Sequence, residues 1–332
     1  MSTITTLIPA YRADYLAELF LGLKTQTLQD FRVVLSDDSP DGAISDAIRR
    51  GRYDALIERI DLRVVPGPRQ GCFKNIHHLL ARWGTESPLV HLHMDDDVIY
   101  PDFYRMHMLT HGSAVLGASV SQRWLAGADG RPAAPLPLPD LIAQQPQRVL
   151  AIDARAVFDT TIPHCRNWFG EFSNMVLAQA AVQRLRAARL GGLSYYGLGD
   201  VGVVIDVAQE LPIGFLHDHL SVFRTHSGQR TAQQASHGLR CGYLAWVALA
   251  LGAQKVGAIS ADQARHAVAQ TARTVRHHYG DDPAFAEFFS LVQTHGECGD
   301  PLHAAFGAHW HHLLQNDPDS RDLGLEPQAV AA

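Results

Sequence analysis

Short apolar runs alternate with longer amphipathic segments over the first part of the chain. Runs of strand length occupy Thr5–Ile8, Phe31–Leu35, Leu62–Val65 and Leu89–Met94, and the segments between them place apolar residues at helical spacing. Strands that alternate with helices across short loops are typical of a parallel, doubly wound sheet. The pattern therefore predicts an α/β fold with a mostly parallel, Rossmann-like sheet flanked by helices.

Later segments of the chain show a different pattern. Residues 126–147 contain five prolines and few periodic apolar residues, which predicts a long Pro-rich loop. Beyond about residue 231 the spacing is helical, and Ser260 with Gln263 forms the capping box of one helix. We expect a main domain over residues 1–230, a helical C-terminal appendage over 231–315 and a flexible tail over 316–332.

Acidic residues cluster where predicted strands end. Asp37 and Asp38 follow the second strand, and Asp95, Asp96 and Asp97 follow the fourth. Because ligands of such sheets bind beyond the carboxyl ends of the strands, we expect these acids to face one crevice. Three adjacent carboxylates after a buried strand are unfavourable unless a cation neutralises them, and carboxylate oxygens suit Mg²⁺ or Mn²⁺. The alternative is a solvated acidic turn.

Composition and charge narrow the classes of protein. Hydrophobic residues make up 46% of the chain, which is enough for a real core, and the net charge of −6 gives no general attraction to nucleic acid. The four cysteines show no metal-ligand spacing, which is typical of reduced thiols in a cytoplasmic protein. The sequence predicts neither a signal peptide nor a transmembrane segment. Peripheral contact with the inner membrane face stays open.

Six motifs occur in one order along the chain and together resemble a known family. They are PAYR from Pro9, SDDSPDG from Ser36, MDDDVIYPD from Met94, GEFS from Gly170, LGD from Leu198 and FRTH from Phe223. Over roughly residues 3–230, the ordered set resembles an inverting family 2 glycosyltransferase of the GT-A fold. The resemblance implies a nucleotide-diphosphate sugar as donor, Mn²⁺ or Mg²⁺ as cofactor, and a hydroxyl acceptor on a glycan, a lipid-linked molecule or a protein. It also implies a role in bacterial polysaccharide or glycoconjugate synthesis.

Two residues are suited to recognition of the base. The ring of Tyr11 can stack on a base, and the carboxylate of Asp38 can accept the imide N–H of uracil or thymine. This pair favours UDP or dTDP, whereas the alternatives are a loop aromatic and a turn cap. Arg12 stands where the family usually has Asn. The resemblance implies that further residues contact the nucleotide in addition to Tyr11 and Asp38. They are Pro9, Ala10, Arg12, Arg69, Lys74, Asp95 and Asp96.

The resemblance places a divalent cation at Asp95, Asp96, Asp97 and His226. The family often shows Asp-x-Asp-Asp four residues before a proline, and counting back from Pro101 makes Asp96 the main ligand. Alignment on a Met-Asp-Asp-Asp variant instead makes Asp95 and Asp97 the pair. The sequence alone leaves both registers open, and a structural role is the alternative for His226.

The remaining candidate residues concern the transferred sugar and its acceptor. Asp200 is the candidate general base for two reasons. The N-terminus of a helix favours an ionised carboxylate, and the resemblance puts the catalytic carboxylate before the Arg-x-His motif. A helix N-cap is its alternative role. Glu171 and Ser173 are candidates for hydrogen bonds to hydroxyls of the donor or acceptor sugar, with helix capping as the alternative.

Other functions and assemblies remain to be separated by experiment. A sugar-phosphate nucleotidyltransferase would share the fold but carries a Gly-rich basic loop after its first strand, and PAYRADY is not such a loop. A nucleotide-sugar-binding protein without turnover is the non-enzymatic alternative. Gly197–Gly202 also matches the GxGxxG pattern of dinucleotide sites, but no clear strand precedes it. A homo-oligomer formed through the C-terminal helices is a further hypothesis.

Overall fold

A computed structural model describes residues 2–229, 236–321 and 323. Its strands are β1 (Ile4–Ala10), β2 (Phe31–Asp37), β3 (Leu62–Pro66), β4 (Leu89–Leu92), β5 (Val98–Ile99), β6 (Ala118–Ala126), β7 (Pro132–Pro135), β8 (Val149–Ile152), β9 (Met175–Ala178), β10 (Arg189–Leu190), β11 (Leu193–Ser194) and β12 (Ile213–Arg224). Its α-helices are α1 (Leu16–Lys24), α2 (Ala43–Arg49), α3 (Asp54–Ile57), α4 (Cys72–Trp83), α5 (Phe103–Ser113), α6 (Asp140–Ala143), α7 (Ala154–Thr161), α8 (Gln179–Ala187), α9 (Gly199–Ala208), α10 (His237–Lys255), α11 (Ala261–Tyr279), α12 (Ala286–His295) and α13 (Asp300–Asn316).

One mixed sheet carries most of the strands, in the order β3-β2-β1-β4-β9-β6-β12-β5, with β7 on β6 and β8 on β12. Strands β3, β2, β1 and β4 run parallel to one another, and β6 runs parallel to β12. Strand β9 lies antiparallel between β4 and β6, and β5 and β8 are antiparallel to β12. The predicted α/β fold with a mostly parallel sheet is confirmed.

Two local predictions are wrong. The apolar spacing after Ser173 predicts a helix through Leu177 and Val182, but Met175–Ala178 forms β9 and the helix begins only at Gln179. A strand buried on both faces reads as a continuous apolar run, which periodicity does not distinguish from a buried helix. Within the region predicted as a loop, Pro132–Pro135 forms a strand on the edge of the sheet, where proline is tolerated.

The first of two compact units contains the sheet. It comprises residues up to Ile152, Trp168–Arg186 and Glu210–His226. Its main core places the apolar face of α1 against β1 and β2, with Leu16, Phe20 and Leu35 fully buried. Apolar residues at helical spacing in α1 and at strand spacing in β1 and β2 therefore produce the packing that the pattern predicted.

The second unit is mainly helical. It comprises Asp153–Asn167, Ala187–Gln209 and the described residues from Ser227 onward. The capping box at Ser260 and Gln263 starts α11 as predicted. The predicted boundary after residue 230 and much of the predicted tail, residues 322 and 324–332, lie outside the described residues. Within the described ranges, every helix is too short or too polar to cross a bilayer.

Candidate active site

Three neighbouring strands bring the first loops of the candidate site to one edge of the sheet. Ala10 of β1 lies opposite Asp37 of β2, and Leu7 of β1 lies opposite Leu92 of β4. The N–H of Asp38 donates to the carbonyl of Ala10 over 2.8 Å. The parallel register thus places the turns after β1, β2 and β4 side by side, as the sequence predicted.

Asp95 joins the turn after β4 to the turn after β1. Its Oδ2 accepts the backbone N–H groups of Tyr11 and Arg12, over 2.7 and 2.9 Å. Burial raises the pKa of Asp95 to about 6 and the negative charge of Asp96 adds to this, although the two N–H groups oppose it. The side chains of Tyr11 and Arg12, in the turn after β1, are both exposed to solvent, and that of Tyr11 is 54% exposed.

Asp97 holds the same acidic turn from its buried side. Its Oδ1 accepts the backbone N–H of Arg224, the last residue of β12, over 3.0 Å. Burial and the neighbouring charge of Asp96 raise the pKa of Asp97 well above its usual range. Ser173 is also buried, and its Oγ accepts the N–H of Met94 over 3.0 Å. Asp97 and Ser173 therefore fix the backbone of the turn.

Asp96 and His226 face each other at the end of β12. His226 Nε2 lies 3.0 Å from Asp96 Oδ2, and the side chains are 10% and 18% exposed. A carboxylate oxygen and an imidazole nitrogen at this separation are both ligands that divalent cations accept. In the described part of the chain, no set of three or more His, Cys, Asp or Glu side chains is arranged to hold an ion. A cation here would need further ligands from a bound molecule or water.

Arg224 anchors the acidic turn to helix α1. It is only 1% exposed. Its Nε donates to the carbonyl of Asp96 over 2.8 Å, and its Nη1 donates to the carbonyl of Ala128 over 2.9 Å. Its Nη2 pairs with the carboxylate of Glu18, and the guanidinium lies 4.3 Å from the ring centroid of Tyr15. The Arg-x-His motif was noticed in the sequence, but Tyr15 and Glu18 were missed.

Asp38 and Asp37 differ in their environments. Asp38 is 3% exposed and accepts the backbone N–H of Arg69, and burial raises its pKa. Asp37 accepts the backbone N–H groups of Ser39 and Ser45, over 3.0 and 2.8 Å. Burial acts to raise the pKa of Asp37, but the hydrogen bonds from both serines lower it overall. Asp37 therefore organises the turn, which leaves Asp38 as the recognition candidate.

The two basic candidates lie on the loop and helix after β3. Arg69 has an exposed side chain and a left-handed backbone with φ of 55°. Lys74 is half-buried in the first turn of α4. The backbone N–H of Arg69, rather than its guanidinium, is the group that contacts Asp38.

Glu171 pairs with a buried arginine. Its carboxylate accepts from Arg123, whose guanidinium lies 4.7 Å from the ring centroid of Phe223. The backbone N–H of Glu171 donates to Oδ1 of Asn174 over 2.8 Å, which helps to start the short 3-10 helix Phe172–Asn174. Sequence reasoning missed Arg123, although a single arginine in the otherwise uncharged strand β6 was a usable signal.

Asp200 lies in the first turn of α9, in the second unit. The N-cap position belongs to Leu198, which makes no side-chain cap, so Asp200 is not the N-cap residue. Its Oδ1 accepts the N–H of Val201 over 2.7 Å. The GxGxxG pattern here follows only the two-stranded β10–β11 hairpin, not a strand of a βαβ unit. The role of Asp200 as a base stays a prediction.

Comparison with solved structures identifies the fold, whereas no family model and no curated protein matches this chain. TarS from S. aureus, in complex with UDP-GlcNAc, is similar at a TM-score of 0.61 and 14% identity, over 97% of this chain and 89% of that chain. The mannosyltransferase PcManGT from Pyrobaculum calidifontis, with GDP-Man and Mn²⁺, gives 0.51 and 16%, over 94% and 84%. GalNAc-T7, with UDP, GalNAc and Mn²⁺, gives 0.55 and 9%, over 96% and 58%. The chain therefore has the GT-A fold that the sequence resemblance implied.

Proposed function

We propose that this chain is a glycosyltransferase that uses a nucleotide-diphosphate sugar and a divalent cation. The observation that carries the proposal is the pairing of Asp96 with His226 at an edge of a GT-A sheet, where the turn with the exposed Tyr11 ring also lies. Similar folds in complexes with UDP-GlcNAc, UDP or GDP-Man support this class of donor. Fold alone does not determine function, so the site residues are the basis of the proposal.

Asp96 and His226 are the residues that would hold Mn²⁺ or Mg²⁺. This assignment favours the register in which Asp96 is the main ligand, because Asp96 Oδ2 faces His226, whereas the carboxylate of Asp95 binds the turn after β1 and that of Asp97 is buried. When bound, the cation would neutralise charge on the departing diphosphate. Arg224 would keep the backbone of Asp96 in place, since its guanidinium donates to the Asp96 carbonyl.

The nucleotide would lie over the turns after β1 and β2. Tyr11 would stack on the base, and Asp38 would accept the imide N–H of a uracil or thymine. A carboxylate offers about four acceptor positions, so the N–H of Arg69 leaves room for this bond. Pro9 and Ala10 shape the first turn, and side chains that would interact with the diphosphate are Arg12, Arg69 and Lys74.

In the transfer step, Asp200 would take the proton from the acceptor hydroxyl as that oxygen attacks the sugar carbon and the diphosphate leaves. Attack opposite the leaving group gives inversion. Glu171 would orient sugar hydroxyls from its pair with Arg123, whereas the burial of Ser173 favours a positioning role. The acceptor would be a glycan, lipid-linked or protein hydroxyl, in polysaccharide or glycoconjugate synthesis.

The test is a panel of UDP-, dTDP-, GDP- and ADP-sugars with and without Mn²⁺. Binding is read as a rise in melting temperature and turnover as release of nucleoside diphosphate. We expect one pyrimidine donor to stabilise the protein only with Mn²⁺ and to be hydrolysed slowly. Stabilisation without release would indicate a binding protein, and pyrophosphate release from a nucleoside triphosphate plus a sugar phosphate would indicate a nucleotidyltransferase.

A further inference from the structure

The segment Gly191–Asp200, which ends at the candidate base, is held by two C-terminal helices within the second unit. Trp310 of α13 donates its indole N–H to the carbonyl of Ser194 over 2.8 Å, and Trp310 is buried. His303 of α13 lies with Nε2 3.0 Å from the carbonyl of Gly191. Backbone carbonyls of this segment are therefore satisfied by side chains more than a hundred residues later in the chain.

A buried hydrogen bond continues this attachment toward Asp200. The hydroxyl of Tyr196 donates to Oδ2 of Asp317, just after α13, over 3.2 Å. Asp317 is itself buried and accepts the hydroxyl of Ser320 over 3.0 Å. Loss of the Tyr196 hydroxyl would leave a buried acceptor with one partner fewer, which destabilises the local arrangement.

Two facing glycines bring the backbone of the same segment against α10. A Cβ on Gly197 would lie 2.7 Å from the backbone nitrogen of Gly242, and Gly197 has φ of 95°, which L side chains rarely adopt. A Cβ on Gly242 would lie 3.4 Å from the carbonyl oxygen of Gly197, an ordinary contact. The close approach therefore needs glycine at Gly197 but tolerates alanine at Gly242.

We propose that α10 and α13 are positioning elements for Asp200: they set the backbone of Gly191–Asp200, and through it the direction in which the carboxylate is presented. Tyr196, Gly197, Trp310 and Asp317 are the positioning residues. The inference rests on the proposed role of Asp200 as general base. A displacement of about 1 Å in a reacting group can reduce turnover about a hundredfold, so a support of this kind affects rate more than donor affinity.

The test compares Gly197→Ala with its matched control Gly242→Ala in the full chain. We measure donor turnover, donor KM, melting temperature and hydrogen exchange of the peptide that covers residues 195–201. For Gly197→Ala we expect kcat to fall about 10- to 100-fold with KM within about twofold, and exchange of that peptide to accelerate. Gly242→Ala should keep kcat and exchange near those of the unaltered protein.

A second set of variants decides the question if Gly197→Ala does not fold. Tyr196→Phe and Asp317→Ala should both lower kcat and accelerate exchange. Asp317→Asn keeps an acceptor for the Tyr196 hydroxyl, so its kcat and exchange rate should stay near those of the unaltered protein. Unchanged kcat and unchanged exchange in folded Gly197→Ala, or in Tyr196→Phe, would overturn the inference.

The exchange measurement separates this inference from the proposed function. If the unaltered protein binds donors but never releases nucleoside diphosphate, the proposed function fails. Faster exchange in Gly197→Ala would then still show that the contact with α10 sets the segment, and faster exchange in Asp317→Ala would show the same for the contact at the end of α13. Unchanged exchange in both variants would show that these helices do not set it.

Discussion

Asp95→Asn should stabilise the protein in the absence of a divalent cation. Oδ2 of Asp95 accepts both backbone N–H groups, so the amide oxygen of Asn can replace it without loss of these hydrogen bonds. What the substitution removes is a negative charge that is partly buried and lies beside Asp96. The change therefore isolates the electrostatic contribution of one carboxylate from its contribution to backbone geometry.

The sign and size of the effect follow from the pKa. Burial raises the pKa of Asp95 from 3.8 to about 6, so the folded chain binds the proton more tightly than the unfolded chain does. The free energy of unfolding consequently falls as pH rises through this interval, and the loss persists above it. At about 1.4 kcal/mol for each pH unit, the full loss is about 3 kcal/mol. Because solvent reaches part of the side chain, we expect Asp95→Asn to regain about 1–2 kcal/mol.

The assay is chemical unfolding in EDTA at pH 8 and at pH 4. Asp95→Asn should be more stable than the unaltered protein at pH 8. The difference should nearly vanish at pH 4, where Asp95 is protonated in the folded chain and partly protonated in the unfolded chain. Asp37→Asn is the control of opposite sign, because hydrogen bonds lower the pKa of Asp37 overall. It should lose stability at pH 8. If Asp95→Asn also loses stability at pH 8, the unfavourable burial inferred for this carboxylate is wrong.

Five further substitutions test the other assignments. Asp96→Asn and His226→Ala should each abolish the Mn²⁺-dependent part of UDP binding, seen by titration calorimetry, while melting temperatures in EDTA change little; an intact Mn²⁺ response would remove both as ligands. Asp200→Asn should keep donor affinity while turnover in a coupled assay falls about 10²–10⁴-fold, since an amide cannot take the proton; near-normal transfer would exclude it as base. Asp38→Ala should weaken UDP binding by about 1–3 kcal/mol in competition experiments and reduce the preference for UDP over GDP; an unchanged preference would contradict recognition of the nucleobase by Asp38. Glu171→Gln should reduce stability in urea by about 1–3 kcal/mol, because buried Arg123 would lose its charged partner; unchanged stability would show that the pair is weak.

Local pattern was sufficient to predict the strands and turns that define the edge of the sheet. β1, β2 and β4 are short apolar runs bounded by polar turns, so periodicity identified them and the parallel register brought their ends together. Strand β9 was missed because a run buried on both faces has no alternation.

Contacts between distant residues could not be predicted from local pattern. Arg224 pairs with Glu18 across 206 residues, and Ser173 accepts from Met94 across 79 residues. No periodicity links such positions, and only the strand order of the folded sheet brings them together. For the same reason the attachment of Gly191–Asp200 to α13 was not visible, and the C-terminal helices were described only as an appendage.

The division of the chain between its two units has a consequence for synthesis on the ribosome. Helix α7 is made early, yet its unit includes α11, whose Gln263 donates to Asp159 from 104 residues further along the chain. At about 5–20 residues per second, roughly 5–20 s separate the emergence of the two helices. During that interval the apolar side chains of Ile162 and Pro163, which directly follow α7, lie against α11 and are buried in the finished protein, lack part of their native surroundings. Nascent chains stalled before about residue 260 would therefore be the ones that chaperones have to protect.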